Sequence, residues 1–212
     1  MSGGSWRLNV RVNRIVARIH PSGPDWVRVL NATERHCLNT ESPDGQTNRL
    51  YLDTNIISAY WYSGADIDGL ARRSKTREWW KNERDHFSVW ASAASEDELA
   101  AGKFRRQAEC LRFVRRLPYL PISGETRQLA RRLVELGVVP AEKPGDALQM
   151  AACAAHRIDY LLSWNYAHLV NPVAQTRLET VCSRLSLRAP LLVSPESIPK
   201  ASLGQTIRRR ES

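Results

Sequence analysis

The sequence has no Cys-x-x-Cys pair, no histidine beside a cysteine at zinc-ligand spacing, and no apolar run near the ~20 residues of a membrane span. Its four cysteines, Cys37, Cys110, Cys153 and Cys182, are scattered and read as small core residues in a reducing compartment. The N-terminus carries no signal-type apolar block, so a cytoplasmic protein with no membrane partner is expected. Acidic residues are in short supply: 22 Asp and Glu face 31 Lys and Arg, a formal charge of +9 that favours a polyanionic partner. What remains is ordinary. With 212 residues, 42% hydrophobic and 25% charged, the chain can build one domain with a sizeable core plus extensions.

From Trp6 to Val12 apolar and polar residues alternate with the period of a half-buried strand. Residues 36–48 are polar and turn-rich, with Asn39, Ser42, Pro43, Asp44 and Gly45, which marks residues 1–48 as an extension ending in a linker. The main domain is expected over 49–199. There, short apolar runs at 50–52, 87–90, 119–122, 160–162 and 191–193 alternate with amphipathic stretches at 65–84, 96–116, 126–136 and 146–156. That alternation predicts an α/β fold, a mostly parallel sheet of about five strands covered by helices on both faces. Residues 200–212 form a tail that carries Arg208 to Arg210 and is expected to be disordered.

In such sheets functional groups gather at the carboxyl ends of the strands. Asp53 stands at one of these ends, in Leu50-Tyr51-Leu52-Asp53-Thr54-Asn55; its ordinary role would be to cap the next helix, worth ~1 kcal/mol. Glu98 follows the second strand about one turn into a helix, where Ser95-x-x-Glu98 fits a capping box. Asp146 opens a helix after Pro144-Gly145, where the helix dipole welcomes an acid. Each has its own structural explanation. Jointly, however, these three acids and Asn165 fall at the same point of successive strand–helix units, which independent caps need not do. Carboxylates gathered within ~4 to 6 Å repel by roughly 1 to 4 kcal/mol per pair, and oxygen-only ligands suit Mg²⁺ or Mn²⁺.

These residues resemble the PIN-domain nucleases, and in particular the VapC-type toxin branch of type II toxin–antitoxin systems. The resemblance covers roughly residues 49–199. Residues 50–55 look like the first-strand Asp-Thr-Asn motif; Ser92, Ser95, Glu98, Leu99 and Gly102 match the Ser/Thr-x-x-Glu-Leu-x-x-Gly segment. Gly145-Asp146-Ala147 resembles the third acidic motif, and Ser163-Trp164-Asn165 a fourth, Thr-Trp-Asn, with Ser163 for the commoner Thr and Asn165 for the Asp of many members. The resemblance implies a three-layer α/β/α PIN-like fold and a metal-dependent endoribonuclease. Asp53, Glu98 and Asp146 would hold Mg²⁺ or Mn²⁺, Asn165 would orient a ligand or water, and Thr54, Asn55 and Ser163 would hydrogen-bond the ligands. It also implies RNA as substrate, a small antitoxin partner and a homodimer. The neutral Asn165 implies a weak second metal position.

Between residues 103 and 132 nine basic side chains face only Glu109 and Glu125. Lys103, Arg105, Arg106, Arg112, Arg115 and Arg116 are the leading candidates for gripping RNA phosphates, while His86, His156 and His168 read as structural. An aspartate-nucleophile phosphatase would need a second Asp two residues after Asp53, where Asn55 stands. A non-catalytic RNA-binding or protein-interaction module with a decayed site is the alternative.

Overall fold

Three consecutive residues, Leu50, Tyr51 and Leu52, are fully buried in β1 (Asn48–Leu52). Unbroken burial of this kind arises when helices cover both faces of a parallel strand. The computed structural model describes residues 47–200; the strand expected at 6–12, Cys37 and the basic tail lie outside the described residues. The other strands are β2 (Phe87–Ser92), β3 (Tyr119–Leu120), β4 (Tyr160–Leu162) and β5 (Leu191–Val193). They form one all-parallel sheet in the order β3-β2-β1-β4-β5. β1 is central, with Leu50 opposite Val89 on one side and Leu52 opposite Leu162 on the other.

Seven α-helices connect the strands: α1 (Thr54–Tyr60), α2 (Ile67–Asn82), α3 (Ala93–Ala101), α4 (Gln107–Val114), α5 (Gly124–Glu135), α6 (Pro144–Ala155) and α7 (Pro172–Arg184). The arrangement is consistent with three α/β/α layers. Tyr51 and Leu161 join α5, α6 and α7 in one core, where the small residues Ala151, Ala152, Cys153 and Ala154 let α6 lie close. A second core is aromatic. Trp80 meets Phe113 edge to face at 5.0 Å, and Trp79 lies 6.1 Å from Phe87. Cys110, Cys153 and Cys182 are free, buried thiols.

Several local expectations are corrected. The stretch 96–116 is two helices, not one, because the chain leaves the helical path at Gly102 and Arg106 adopts a left-handed φ of 73°. The Gln107 amide then donates to the Leu99, Ala100 and Gly102 carbonyls, satisfying acceptors that α3 leaves open at its end. Helices α1 and α7 have no counterpart among the expected amphipathic stretches. α1 starts directly after Asp53, and its β-branched Thr54, Ile56 and Ile57 have low helix propensity. α7 did carry a signal, the Asn171 cap with Pro172 at the first helical position. None of the helices among the described residues is long and apolar enough to cross a membrane.

Candidate functional site

The strand order sets where the site lies. The chain runs outward from β1 through β2 to β3, then returns to the other side of β1 with β4 and β5. The reversal falls between β1 and β4, and ligands of open α/β sheets bind outside the carboxyl ends of the strands at such a point. Asp53 follows β1 and Ser163 follows β4, so both stand at that crevice.

Asp53 is 3% exposed, and its backbone occupies the N-cap position of α1 while its side chain makes no capping bond. Its carboxylate is held by four side chains instead. Oδ1 accepts from the Thr54 hydroxyl at 3.1 Å and the Gln149 amide at 3.2 Å. Oδ2 accepts from Asn55 at 2.6 Å and from the Ser163 hydroxyl at 2.5 Å. Burial raises the Asp53 pKa, while the Ser163, Gln149 and Thr54 side chains and, more weakly, the Asn55 backbone N–H pull it back down; that N–H is near enough to act on the carboxylate but makes no regular capping bond. Among the described residues no ion pair reaches it.

Glu98 does not form the capping box expected with Ser95. The true cap of α3 is Ser92, whose hydroxyl accepts from Ser95 N–H at 3.3 Å. Ser95 Oγ instead meets the buried Tyr51 hydroxyl at 2.7 Å, and Glu98 falls in the second turn, beyond capping reach. Its pKa is raised by partial desolvation and then by the charge of Asp53; Thr54 lowers it and Asp146 raises it further.

Asp146 is the third residue of α6, and the N–H it would serve in a capping box, that of Lys143, already bonds the Pro140 carbonyl. Its Oδ2 accepts from the Asn165 amide at 2.9 Å. Desolvation, then Asp53, raise its pKa, and His168 and Lys143 oppose them. Asn165 is held in turn: its Oδ1 accepts from His168 N–H at 3.0 Å, and its N–H donates to Ser163 Oγ at 2.9 Å. Asn55 locks the other side of this loop, accepting from Trp164 N–H at 2.9 Å. A continuous chain of hydrogen bonds therefore runs Asp53, Ser163, Asn165, Asp146.

The donor set of the three acids is all oxygen, which suits a hard divalent ion. Among the described residues, none of the ion pairs involves Asp53, Glu98 or Asp146. Nor, among those residues, do three or more His, Cys, Asp or Glu stand close enough together to hold an ion as placed. Asp53 is buried, Asp146 half-buried and Glu98 exposed.

The basic candidates lie elsewhere. Lys103, Arg105, Arg106, Arg112, Arg115 and Arg116 are exposed, and none lines the cavity of about 770 Å³ that opens beside Glu98. Arg106 pairs with Glu109 at 2.7 Å and Arg115 with Glu96 at 2.6 Å. Sequence reasoning missed Gln149, 4% exposed on α6, whose Oε1 is buried without a hydrogen-bond partner. Its signal was the spacing of three from Asp146, which puts both on one helix face. Arg72, the cation that does line the cavity, was also missed.

Compared with models of known protein families and with curated protein sequences, the chain finds no match in either.

Proposed function

We propose that this chain is a Mg²⁺- or Mn²⁺-dependent endoribonuclease of PIN-domain type, acting in the cytoplasm as the toxin of a toxin–antitoxin pair. The observation that carries the reading is the hydrogen-bonded chain that joins Asp53 to Asp146 through Ser163 and Asn165 at one sheet end, with Glu98 close enough to feel the charge of both. Glu98 lies beyond capping reach in α3, and among the described residues no ion pair reaches any of the three acids; Asp146, in the first turn of α6, also suits the helix dipole. Acids gathered at one crevice without an ion pair suit a bound cation.

Asp53, Glu98 and Asp146 would hold the ion. A bound divalent ion supplies an ionisable water and stabilises charge on phosphodiester oxygens. The chain's own residues then set direction. Ser163 and Asn55 fix one oxygen of Asp53 with short bonds, so the longer bonds from Gln149 and Thr54, at 3.2 and 3.1 Å, are those an incoming ligand would replace. Asn165 fixes one oxygen of Asp146. The expected products are a 5′ phosphate and a 3′ hydroxyl. A homodimer and a small antitoxin belong to the same proposal.

A second reading, a non-catalytic RNA-binding or protein-interaction module, draws on the four bonds that already occupy about all the lone-pair sites of Asp53. One experiment separates the two. Purified full-length protein is incubated with total RNA in Mg²⁺, Mn²⁺ or EDTA, and the cleavage ends are mapped. Cuts that vanish in EDTA and with Asp146→Asn support the nuclease; binding without cleavage in any metal supports the module.

A further inference from the structure

We propose that the cavity beside Glu98 is a stacking subsite that takes one unpaired nucleobase of the bound RNA on the rings of Tyr62 and Phe104. The inference rests on the nuclease reading. The cavity is lined by Thr54, Asn55 and Glu98, residues of the acid site, together with the rings of Tyr62 and Phe104. A strand whose phosphate lies at the acids would therefore lead its neighbouring base into the cavity.

Both rings sit in seats cut from glycine. A Cβ on Gly64 would fall 2.0 Å from the Tyr62 hydroxyl oxygen, and one on Gly69 would fall 2.4 Å from the same ring. A Cβ on Gly102 would meet the Phe104 ring at 2.8 Å, which gives that glycine a steric reason, since its φ of −67° is ordinary. Phe104 nevertheless stays 38% exposed, an apolar ring that lies against Gly102 and lines the cavity. A flat aromatic platform held against backbone is what base stacking needs, and any base can use it.

Charge decides which part of a nucleotide enters. Arg72 is the lone cation among the described lining residues, against Asp66, Asp68 and Glu98. That balance repels phosphate and suits the neutral base, whose amino edges donate hydrogen bonds to carboxylates. At about 770 Å³ the cavity lies within the ~300 to 1,000 Å³ of small-molecule pockets, roomy for a base. A base in a duplex cannot reach it without leaving its stack.

The test is direct binding of a fluorescently labelled, mixed-sequence single-stranded RNA and of the same strand in a duplex, in EDTA, by full-length wild type, Tyr62→Ala, Phe104→Ala, Gly69→Ala and Tyr62→Phe. Tyr62→Ala and Phe104→Ala should each weaken single-strand binding about 5- to 100-fold, leave duplex binding unchanged and raise KM more than they lower kcat. Gly69→Ala, which displaces the ring without removing it, should act in the same direction, and Tyr62→Phe should restore affinity. Unchanged single-strand affinity in both alanine variants overturns the proposal, as does an equal loss for duplex. Saturable capture of a cationic peptide that depends on Tyr62, with RNA affinity indifferent to it, overturns it in favour of a peptide groove. Ring-dependent single-strand binding without cleavage in any metal would keep the subsite and reject the nuclease.

Discussion

The two ends of the parallel sheet treat acids in opposite ways. At the amino end Asp159, just before β4, is fully served: Oδ2 accepts from Arg49 N–H at 2.8 Å and Oδ1 pairs with Arg188 at 2.8 Å. Arg49 itself donates to the His156 carbonyl and lies over the Trp90 ring at 4.9 Å. At the carboxyl end no ion pair among the described residues reaches Asp53, Glu98 or Asp146, and burial raises the pKa of each; Asp53 raises Glu98 and Asp146 further, while Lys143, His168 and hydrogen bonds only partly oppose these shifts. Asp159 is given a direct ion pair and a backbone N–H. Acids kept without a direct ion pair cost stability, and the chain keeps three whose charges act on one another.

The comparison is broken or sharpened first by activity. Asp53→Asn, Glu98→Gln and Asp146→Asn preserve shape and remove charge, and each should take metal-dependent RNA cleavage below detection. Caps alone would tolerate the two Asn substitutions, since Asn caps about as well as Asp. A smaller effect is expected one bond away. Ser163→Ala and Asn165→Ala remove the groups that position Asp53 and Asp146, and should lower metal affinity or kcat about 10- to 100-fold, by analogy with other outer groups of metal sites. Equal kcat and metal affinity in both variants would show the hydrogen-bonded chain to be structural only.

Stability should move the other way. Asp159→Ala deletes a largely buried acceptor and an ion pair and should cost ~1 to 3 kcal/mol in denaturant unfolding. Asp146→Asn, measured without metal, should be neutral or slightly stabilising because it relieves repulsion. The smallest effect concerns pH. Carboxylates with raised native pKa bind protons more tightly folded than unfolded, so their contribution is fully present below the unfolded pKa and is lost as pH rises through the folded one. The contribution of these three acids in metal-free protein should thus fall as pH climbs from about 4 upward, against the opposite contribution of Glu96 and Glu109, so Asp53→Asn should make the protein lose less stability, or gain more, than wild type over that range; the same slope in both would mean that Asp53 titrates normally in the folded state.

The parts of this contrast that could be read in the sequence were those written locally. Runs of apolar residues marked β4 at Tyr160–Leu162 and β5 at Leu191–Val193 with their observed bounds, because buried parallel strands admit little else. Asp53 and the residues after β4 were legible as strand-end groups for the same reason. What stayed hidden depends on through-space packing. Ser95 looked like a cap until Tyr51, forty-four residues away, claimed its hydroxyl. Gln149 could not be tied to Asp53 without knowing that α6 crosses behind β1. The charge count over residues 103–132 was correct, yet it could not show that Arg115 is bound by Glu96 and that none of its six leading candidates lines the cavity.

The central claim, that the carboxyl-end acids are kept to bind a divalent ion, is tested most directly by thermal unfolding of wild type, Asp53→Asn and Asp146→Asn in EDTA and in Mn²⁺. Wild type should be stabilised by Mn²⁺, by ~2.7 kcal/mol at a hundredfold excess over Kd, and both variants should show no shift. An equal Mn²⁺ shift in all three proteins, or none in wild type, would contradict the account.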